Sequence, residues 1–298
     1  VTLVFFFFFM VIYKHRIMCD VFFILPLFQE LSHVDRFCSM GTEMKDWSSL
    51  DRLLRLHPLS STNSSTTSST TTTTRVFGGF GVHPWYAHDV SAMNMDEMER
   101  QLRRHLEQHP GAIVGEIGLD KAAKAVETGK CEWEQQKEVF ERQWRIACEM
   151  RRPVSVHCVR AQEEMNEKVR KGIGKSGSGQ RPPRVSLHSY GGSVEGVGQM
   201  IRAIGGGNGS GSGNGNVLFF GLSSVINGRN VNKMKNVARV IPRESLLLET
   251  DVEGPIKQLG DLLGDALSVV GEAWGMSNDL ESCAKITFDN AVRFFTFP

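Results

Sequence analysis

The chain contains 298 residues, of which 41% are apolar and 22% are charged. These proportions are typical of a globular protein with a sizeable core, and α/β barrels reach this length as one domain. The 34 basic and 33 acidic side chains leave a net charge of +1, which excludes a strongly basic nucleic-acid coat and a polyacidic tail.

The six cysteines form no CxxC pair. A disulfide scaffold or a cysteine-rich zinc module is therefore not expected, and a reducing compartment fits better. We accordingly expect a cytoplasmic or nuclear protein that has no membrane partner.

The first 34 residues form an apolar segment of doubtful role. Residues 1–13 are apolar, KHRIMCD follows them, and VFFILPLF comes next. Thirteen apolar residues are too few for a transmembrane helix, which needs about 20. We interpret residues 1–34 as an N-terminal extension from a truncated or mis-joined start. An export or membrane signal and a buried strand pair are the alternatives, and Val21–Leu25 is one segment that could fill the place of a first strand.

From residue 35 onward, short apolar runs alternate with helical patterns. Seven runs predict strands, over Phe37–Gly41, Val76–Val82, Ala112–Glu116, Pro153–His157, Val185–His188, Val217–Gly221 and Leu246–Glu249. Four segments predict helices, over Glu97–His109, Glu132–Met150, Val231–Val240 and Asn278–Phe295. In the second of these helices, Trp133, Phe140, Trp144 and Ala147 recur at near-helical spacing and predict an inward face.

This alternation predicts a parallel βα architecture, and eight such units close a barrel. We therefore predict one domain over residues 35–298 with a TIM (β/α)8-type barrel, whose first strand is degenerate or missing. Three low-complexity stretches interrupt it, at 60–74, 171–183 and 205–216. Each should be a flexible connection from a helix to the next strand, on the face of the barrel that lies opposite the site.

Metal-binding side chains stand where four predicted strands end. Glu116 and His157 close two of the runs, His188 closes a third, and Asp251 follows the last one. In a βα barrel these ends converge on the face that carries the active site. Imidazole and carboxylate together suit a divalent ion such as zinc or manganese, so the sequence predicts a metal site there.

Five motifs in order resemble the TatD family of metal-dependent deoxyribonucleases, which are amidohydrolase-type TIM barrels. They are GVHPW (81–85), GEIGLD (115–120), PVSVHC (153–158), LHSYGGS (187–193) and LLLETD (246–251). The resemblance implies hydrolysis of phosphodiester bonds in DNA with one or two divalent ions, Mg²⁺, Mn²⁺ or Zn²⁺. It also implies that Glu116, His157 and His188 form one metal site. A second metal site would keep only Glu116 and Asp251 as ligands.

The resemblance also suggests catalytic and substrate-binding roles. Asp251 and Glu116 are the candidate catalytic residues, with Asp251 as general base as well as ligand. His83 and Arg160 are candidates for binding the substrate phosphate. The family more often places this arginine two residues after the histidine, whereas Arg160 stands three after His157.

One departure from the family concerns the first strand. Members of the family begin with a strand that ends in His-x-His and supplies two ligands, and this sequence contains no His-x-His. His15 and His33 are isolated. The alternative hypothesis is therefore a catalytically impaired barrel that acts as an interaction protein. An amidohydrolase acting on C–N bonds is a second enzymatic alternative, although no lysine-bearing strand motif favours it.

Overall fold

The computed structural model describes residues 8–11, 36–57, 75–90, 94–174, 182–203, 217–252 and 259–296. The strands in these ranges are β1 Phe8–Val11, β2 Arg36–Gly41, β3 Arg75–Phe80, β4 Ile113–Asp120, β5 Val154–Val159, β6 Val185–Leu187, β7 Leu218–Ser223 and β8 Leu246–Glu249. The α-helices are α1 Trp47–Leu56, α2 Met95–Gln108, α3 Trp133–Glu149, α4 Gln162–Gly174, α5 Val194–Ala203, α6 Val231–Val240, α7 Leu259–Ala273 and α8 Leu280–Phe295. A short 3-10 helix, Pro84–Asp89, follows β3.

The strands form one parallel sheet in the order β1 to β8. Parallel neighbours need a crossover connection, and from β2 onward a helix lies between each strand and the next. β1 also lies beside β8, with Cα atoms within 8 Å, so the sheet curls round on itself. The predicted TIM-type barrel is thus confirmed.

The first strand comes from the segment that the sequence analysis treated as an extension. Phe8–Val11 pairs with β2 in parallel register, from Phe8 opposite Arg36 to Val11 opposite Ser39. Its sequence, FFMV, offers no histidine or carboxylate, so the strand is degenerate as a source of ligands. Val21–Leu25, His15 and His33 lie outside the described residues, and the domain boundary at residue 35 stays a prediction.

Among the elements that were predicted, β4 differs most from its prediction. The strand runs to Asp120, four residues beyond the predicted end at Glu116, because Ile117–Asp120 continue to pair with β5 after a register shift. All eight residues of β4 are buried. Glu116 therefore lies within the strand rather than at its end.

Two apolar layers hold the barrel together. The larger cluster packs the strands against the helices, and the predicted inward face of α3 belongs to it through Phe140, Trp144 and Ala147, whereas Trp133 is half-buried. A second cluster joins β2, β3, β4, β7 and β8 to α8, where the rings of Phe219 and Phe294 are 5.5 Å apart. No helix within the described ranges is both long enough and apolar enough to span a bilayer.

The three low-complexity stretches fall between a helix and the following strand, as predicted. α1 ends at Leu56 before β3, α4 ends at Gly174 before β6, and α5 ends at Ala203 before β7. Residues 171–174 belong to α4, so the loop prediction was wrong for them, because the helical pattern of α4 continues into the Gly-containing segment. The remainder of the stretches, apart from residues 182 and 183, and the face on which they lie, are outside the described residues.

Candidate metal centre

The four predicted ligands lie together at one end of the barrel. Glu116 in β4, His157 in β5 and His188 directly after β6 are buried, and Asp251, two residues after β8, is half-buried. Because neighbouring strands are parallel, their carboxyl ends place these side chains on the same face.

Glu116 occupies the middle of the group. Its Oε1 atom lies 3.3 Å from Nδ1 of His157 and 3.4 Å from Nε2 of His188. The same His188 nitrogen is 3.2 Å from Oδ1 of Asp251. Ligand atoms bound about 2.1 Å from one tetrahedral ion lie roughly 3.4 Å apart, so each of these neighbouring pairs is spaced like two ligands of one divalent ion. Among the described residues, the four do not offer atoms that all lie within 4.8 Å of one another.

A second carboxylate orients His157. Its Nε2 atom lies 3.3 Å from Oδ2 of Asp120, which leaves Nδ1 facing Glu116. Asp120 also accepts hydrogen bonds from the indole of Trp85 at 2.7 Å and from the backbone N–H of Ala122 at 2.7 Å. Burial raises the pKa of Asp120, but the hydrogen bonds from His157 and Trp85 outweigh it, and the pKa is lowered. Asp120 is therefore an ionised partner for the ring of His157.

His188 is oriented in the same way by Glu249. Its Nδ1 atom lies 3.0 Å from Oε2 of Glu249, so Nε2 is directed to Glu116 and Asp251. Burial lowers the pKa of His188, but the three surrounding carboxylates raise it well above its usual value. Metal-binding histidines commonly donate a hydrogen bond from their other ring nitrogen to such a carboxylate. This excess of negative charge is what a bound cation would neutralise.

Hydrogen bonds from neighbouring strand ends hold Asp251. The hydroxyl of Ser189 donates to Oδ2 of Asp251 at 2.9 Å and lies 2.9 Å from the hydroxyl of Ser223. Ser189 and Asp251 both adopt positive φ angles, 39° and 53°. The contacts therefore run in a chain from His157 through Glu116 and His188 to Asp251. The structure places Asp251 against His188, whereas the sequence analysis grouped it with Glu116.

His83 adjoins the same group from the end of β3. Its ring centroid is 4.3 Å from that of His157, and His83, Glu116 and His157 offer ligand atoms within 4.8 Å of one another. However, Nδ1 of His83 accepts the backbone N–H of Trp85 at 3.2 Å. In a neutral ring the proton then sits on Nε2, which is buried 4.0 Å from Oε1 of Glu116. Such an N–H suits donation to an oxygen beside Glu116 better than binding to a metal.

Arg160 lies just past the end of β5. Its φ angle is 54°, its side chain is exposed, and no acidic side chain of the described residues pairs with it. A guanidinium in this state is available to bind a phosphate.

Sequence reasoning did not identify Asp120 and Ser189 as functional residues. Asp120 stands in the GEIGLD motif, but the strand was predicted to end at Glu116, which left Asp120 in a loop. A polar residue that closes an apolar run is the signal that could have found it, once the full length of β4 is recognised.

Comparison with known proteins identifies the family. The sequence profile described as "TatD related DNase" matches residues 29–296. The chain belongs to the TatD-related DNase family. Two curated relatives cover most of it: the Cut9-interacting protein scn1 of Schizosaccharomyces pombe is 25% identical over 80% of this chain and 86% of its own. An uncharacterized deoxyribonuclease of Saccharomyces cerevisiae is 24% identical over 86% of this chain and 90% of its own.

A third relative is similar over a shorter part. The human 3′-5′ RNA nuclease TATDN2 is 27% identical over 59% of this chain and 20% of its own. Among solved structures, the TatD homologue YJJV of Escherichia coli aligns over 99% of this chain and all of its own, with a TM-score of 0.71 and 18% identity. A TatD-family hydrolase from Entamoeba histolytica aligns over 97% of this chain and 98% of its own, with a TM-score of 0.67 and 13% identity. These two structures share the barrel fold with the TatD-family chain described here.

Proposed function

We propose that this protein is a divalent-metal-dependent hydrolase that cleaves phosphodiester bonds in DNA. The observation that carries the proposal is a buried carboxylate, Glu116, placed between two imidazoles, each of which is oriented by a further buried carboxylate. The curated relatives whose names state an activity are nucleases acting on DNA or RNA, and this supports a nucleic-acid substrate.

Glu116, His157, His188 and Asp251 would hold the ion. A bound divalent ion supplies a water ligand of lowered pKa and polarises a phosphoryl oxygen. Two imidazole and two carboxylate donors suit Zn²⁺ or Mn²⁺ better than Mg²⁺, which prefers oxygen ligands.

The protein's own groups account for the remaining steps. Asp251 is the candidate general base, because it is the half-buried carboxylate of the group and Ser189 fixes its Oδ2 atom. Glu116 is fully buried and assists catalysis as a ligand. The Nε2–H of His83 and the guanidinium of Arg160 would bind non-bridging oxygens of the phosphate and orient it towards Asp251.

An impaired barrel that binds another protein is the second candidate. The first strand, FFMV, brings no ligand to the centre, and one curated relative is named for an interaction with another protein. An amidohydrolase acting on C–N bonds has no feature in its favour among the described residues.

Hydrolysis and metal content together test the proposal. The purified chain should release nucleotides from end-labelled DNA in the presence of Mn²⁺ or Zn²⁺ and lose this activity with EDTA. His157→Ala should abolish hydrolysis and lower the bound metal measured by elemental analysis. Glu116→Gln should have the same two effects, and Glu107→Gln, an exposed change on α2, is its matched control and should have neither. A parent protein that binds the ion but cleaves no phosphodiester would favour the interaction protein, and undiminished cleavage by His157→Ala would refute the site assignment.

A further inference from the structure

Three half-buried aromatic side chains, which we call the aromatic ledge, lie at the same end of the barrel as the metal centre. They are Trp85, Tyr86 and Trp133. Trp85 and Tyr86 belong to the 3-10 helix after β3, and Trp133 begins α3 in the connection after β4. Segments that follow strands gather on the catalytic face of a βα barrel, so the ledge borders the centre on its β3–β4 side.

The ledge begins directly beside the candidate phosphate-binding group. The ring centroid of Trp85 is 5.1 Å from that of His83 and 6.5 Å from that of His157, and Tyr86 is 6.5 Å from His83. A phosphate that accepts a hydrogen bond from His83 would therefore bring its attached nucleosides within reach of these rings.

A lysine accompanies each end of the ledge. The ammonium group of Lys121 is 4.9 Å from the ring centroid of Trp133, and that of Lys45 is 6.0 Å from that of Tyr86. Each lysine also meets a carboxylate, Glu164 and Glu43 respectively. The two lysine side chains are 42% and 63% exposed. Glu164 is 38% exposed, so its ion pair with Lys121 is weak enough for a phosphate to replace it. Glu43 is only 7% exposed and keeps Lys45 as its partner.

We propose that the aromatic ledge is a base-stacking subsite, which directs the DNA strand away from the metal centre across the β3–β4 side. Stacking on aromatic rings beside cations that bind the backbone is a common way to bind bases without reading their sequence. The ledge would thus position the scissile phosphate through the bases that flank it, whatever their identity. This inference rests on the proposed nuclease function, and it adds the residues that receive the substrate and the direction in which it lies.

The competing explanation is that the rings only cover the core. Tyr86 and Trp133 do pack on the large apolar cluster, and Trp85 donates its indole N–H to Asp120. A test must therefore separate stacking from packing and from the orientation of Asp120.

Binding of two single-stranded oligonucleotides in EDTA provides the test. One carries bases and the other is an abasic analogue of the same length and charge, and fluorescence anisotropy measures both affinities. The parent should bind the base-containing strand about ten-fold or more tightly than the abasic one. Trp133→Leu and Tyr86→Leu should remove most of this preference, Trp133→Phe should retain it, and Leu56→Ala, an exposed change at the far end of α1, should have no effect.

Two substitutions of Trp85 isolate the stacking role. Trp85→Phe keeps a ring but loses the hydrogen bond to Asp120. If the ring stacks on a base, Trp85→Phe should retain the preference for the base-containing strand and Trp85→Leu should lose that preference. The proposal would be overturned if Trp85→Phe and Trp85→Leu lost the preference for bases equally. It would also be overturned if the parent bound the two strands with equal affinity, or if Trp133→Leu kept the parental preference.

Hydrolysis of the abasic strand separates this proposal from the proposed function. Trp133→Leu and Tyr86→Leu should lower kcat/KM by a larger factor on the base-containing strand than on the abasic strand, and an equal fall on both strands would contradict base stacking. If the parent cleaves neither strand, the nuclease function fails, and the binding comparison in EDTA still decides whether the ledge stacks bases.

Discussion

Gly221 in β7 shows how one missing methyl group makes room for a functional carboxylate. A Cβ atom at this position would lie 2.3 Å from Oε2 of Glu249, the atom that meets Nδ1 of His188. Only glycine leaves Glu249 in contact with the histidine.

We predict that Gly221→Ala lowers metal affinity about 10- to 100-fold, the usual cost of disturbing a group that orients a ligand. Isothermal titration with Mn²⁺ or Zn²⁺ measures this change. Gly260→Ala is the control, because nothing lies within 4 Å of a Cβ atom there. Parental affinity in Gly221→Ala would show that Glu249 does not orient His188.

At the level of secondary structure elements, Asp51 links two helices outside the barrel wall. It belongs to α1, accepts a hydrogen bond from Arg55 at 2.9 Å and lies 2.7 Å from Nε2 of His109, just past the end of α2. The ring of His109 is also stacked 5.8 Å from that of Phe80 in β3. Asp51 therefore ties α1 to the end of α2 over β3.

This link predicts a stability that depends on pH. Burial raises the pKa of Asp51, but the hydrogen bonds from Arg55 and His109 outweigh it and lower the pKa below its usual value. The stabilisation is therefore present above the ordinary pKa of about 3.9 and is lost as the pH falls through the lower, folded-state value. Asp51→Asn should lower the thermal midpoint by roughly 2–4 °C at pH 7, equivalent to about 1 kcal/mol. Melting followed by circular dichroism should show this difference shrinking towards pH 3, and a constant difference would exclude the ionic origin.

The secondary structure elements also show which parts of the fold the sequence could and could not predict. Leu246–Glu249 and Val231–Val240 were predicted to the residue, because polar residues bound a short apolar run and an amphipathic one. α1, α4, α5 and α7 were not predicted. In α5 and α7, glycines such as Gly198 and Gly264 weaken the helical pattern, and tertiary packing overrides it. The four candidate ligands stood out as polar ends of apolar strands, whereas the contact of Asp120 with His157 depends on the pairing of β4 with β5.

At the scale of the whole molecule, the three low-complexity stretches enter strands rather than leave them. The stretch 205–216 lies between the end of α5 and the start of β7. Connections of this kind belong to the barrel face away from the strand ends that carry the ligands, and closure entropy grows only slowly with loop length.

We predict that shortening residues 205–216 to a few glycines and serines leaves metal affinity and DNA cleavage within about two-fold of the parent. Isothermal titration and the end-labelled DNA assay measure both quantities. The matched change is a similar shortening of residues 121–130, which follow β4 and should impair cleavage. A large loss of metal affinity in the 205–216 variant would place that stretch over the metal centre.

The ring order of the strands also couples the ion to the integrity of the whole barrel. Glu116 and His157 come from β4 and β5, and His188 and Asp251 come from the segments that follow β6 and β8, so no single βα unit holds a complete ligand set. The unfolded chain would bind the ion far more weakly, and by thermodynamic linkage the binding free energy adds to the free energy of unfolding. At a free concentration 100 times the Kd, this contribution is about 2.7 kcal/mol. The melting temperature of the protein would thus become a gauge of ion affinity that needs no substrate, because the ion would tie β4, β5 and the segment after β6 to the segment after β8.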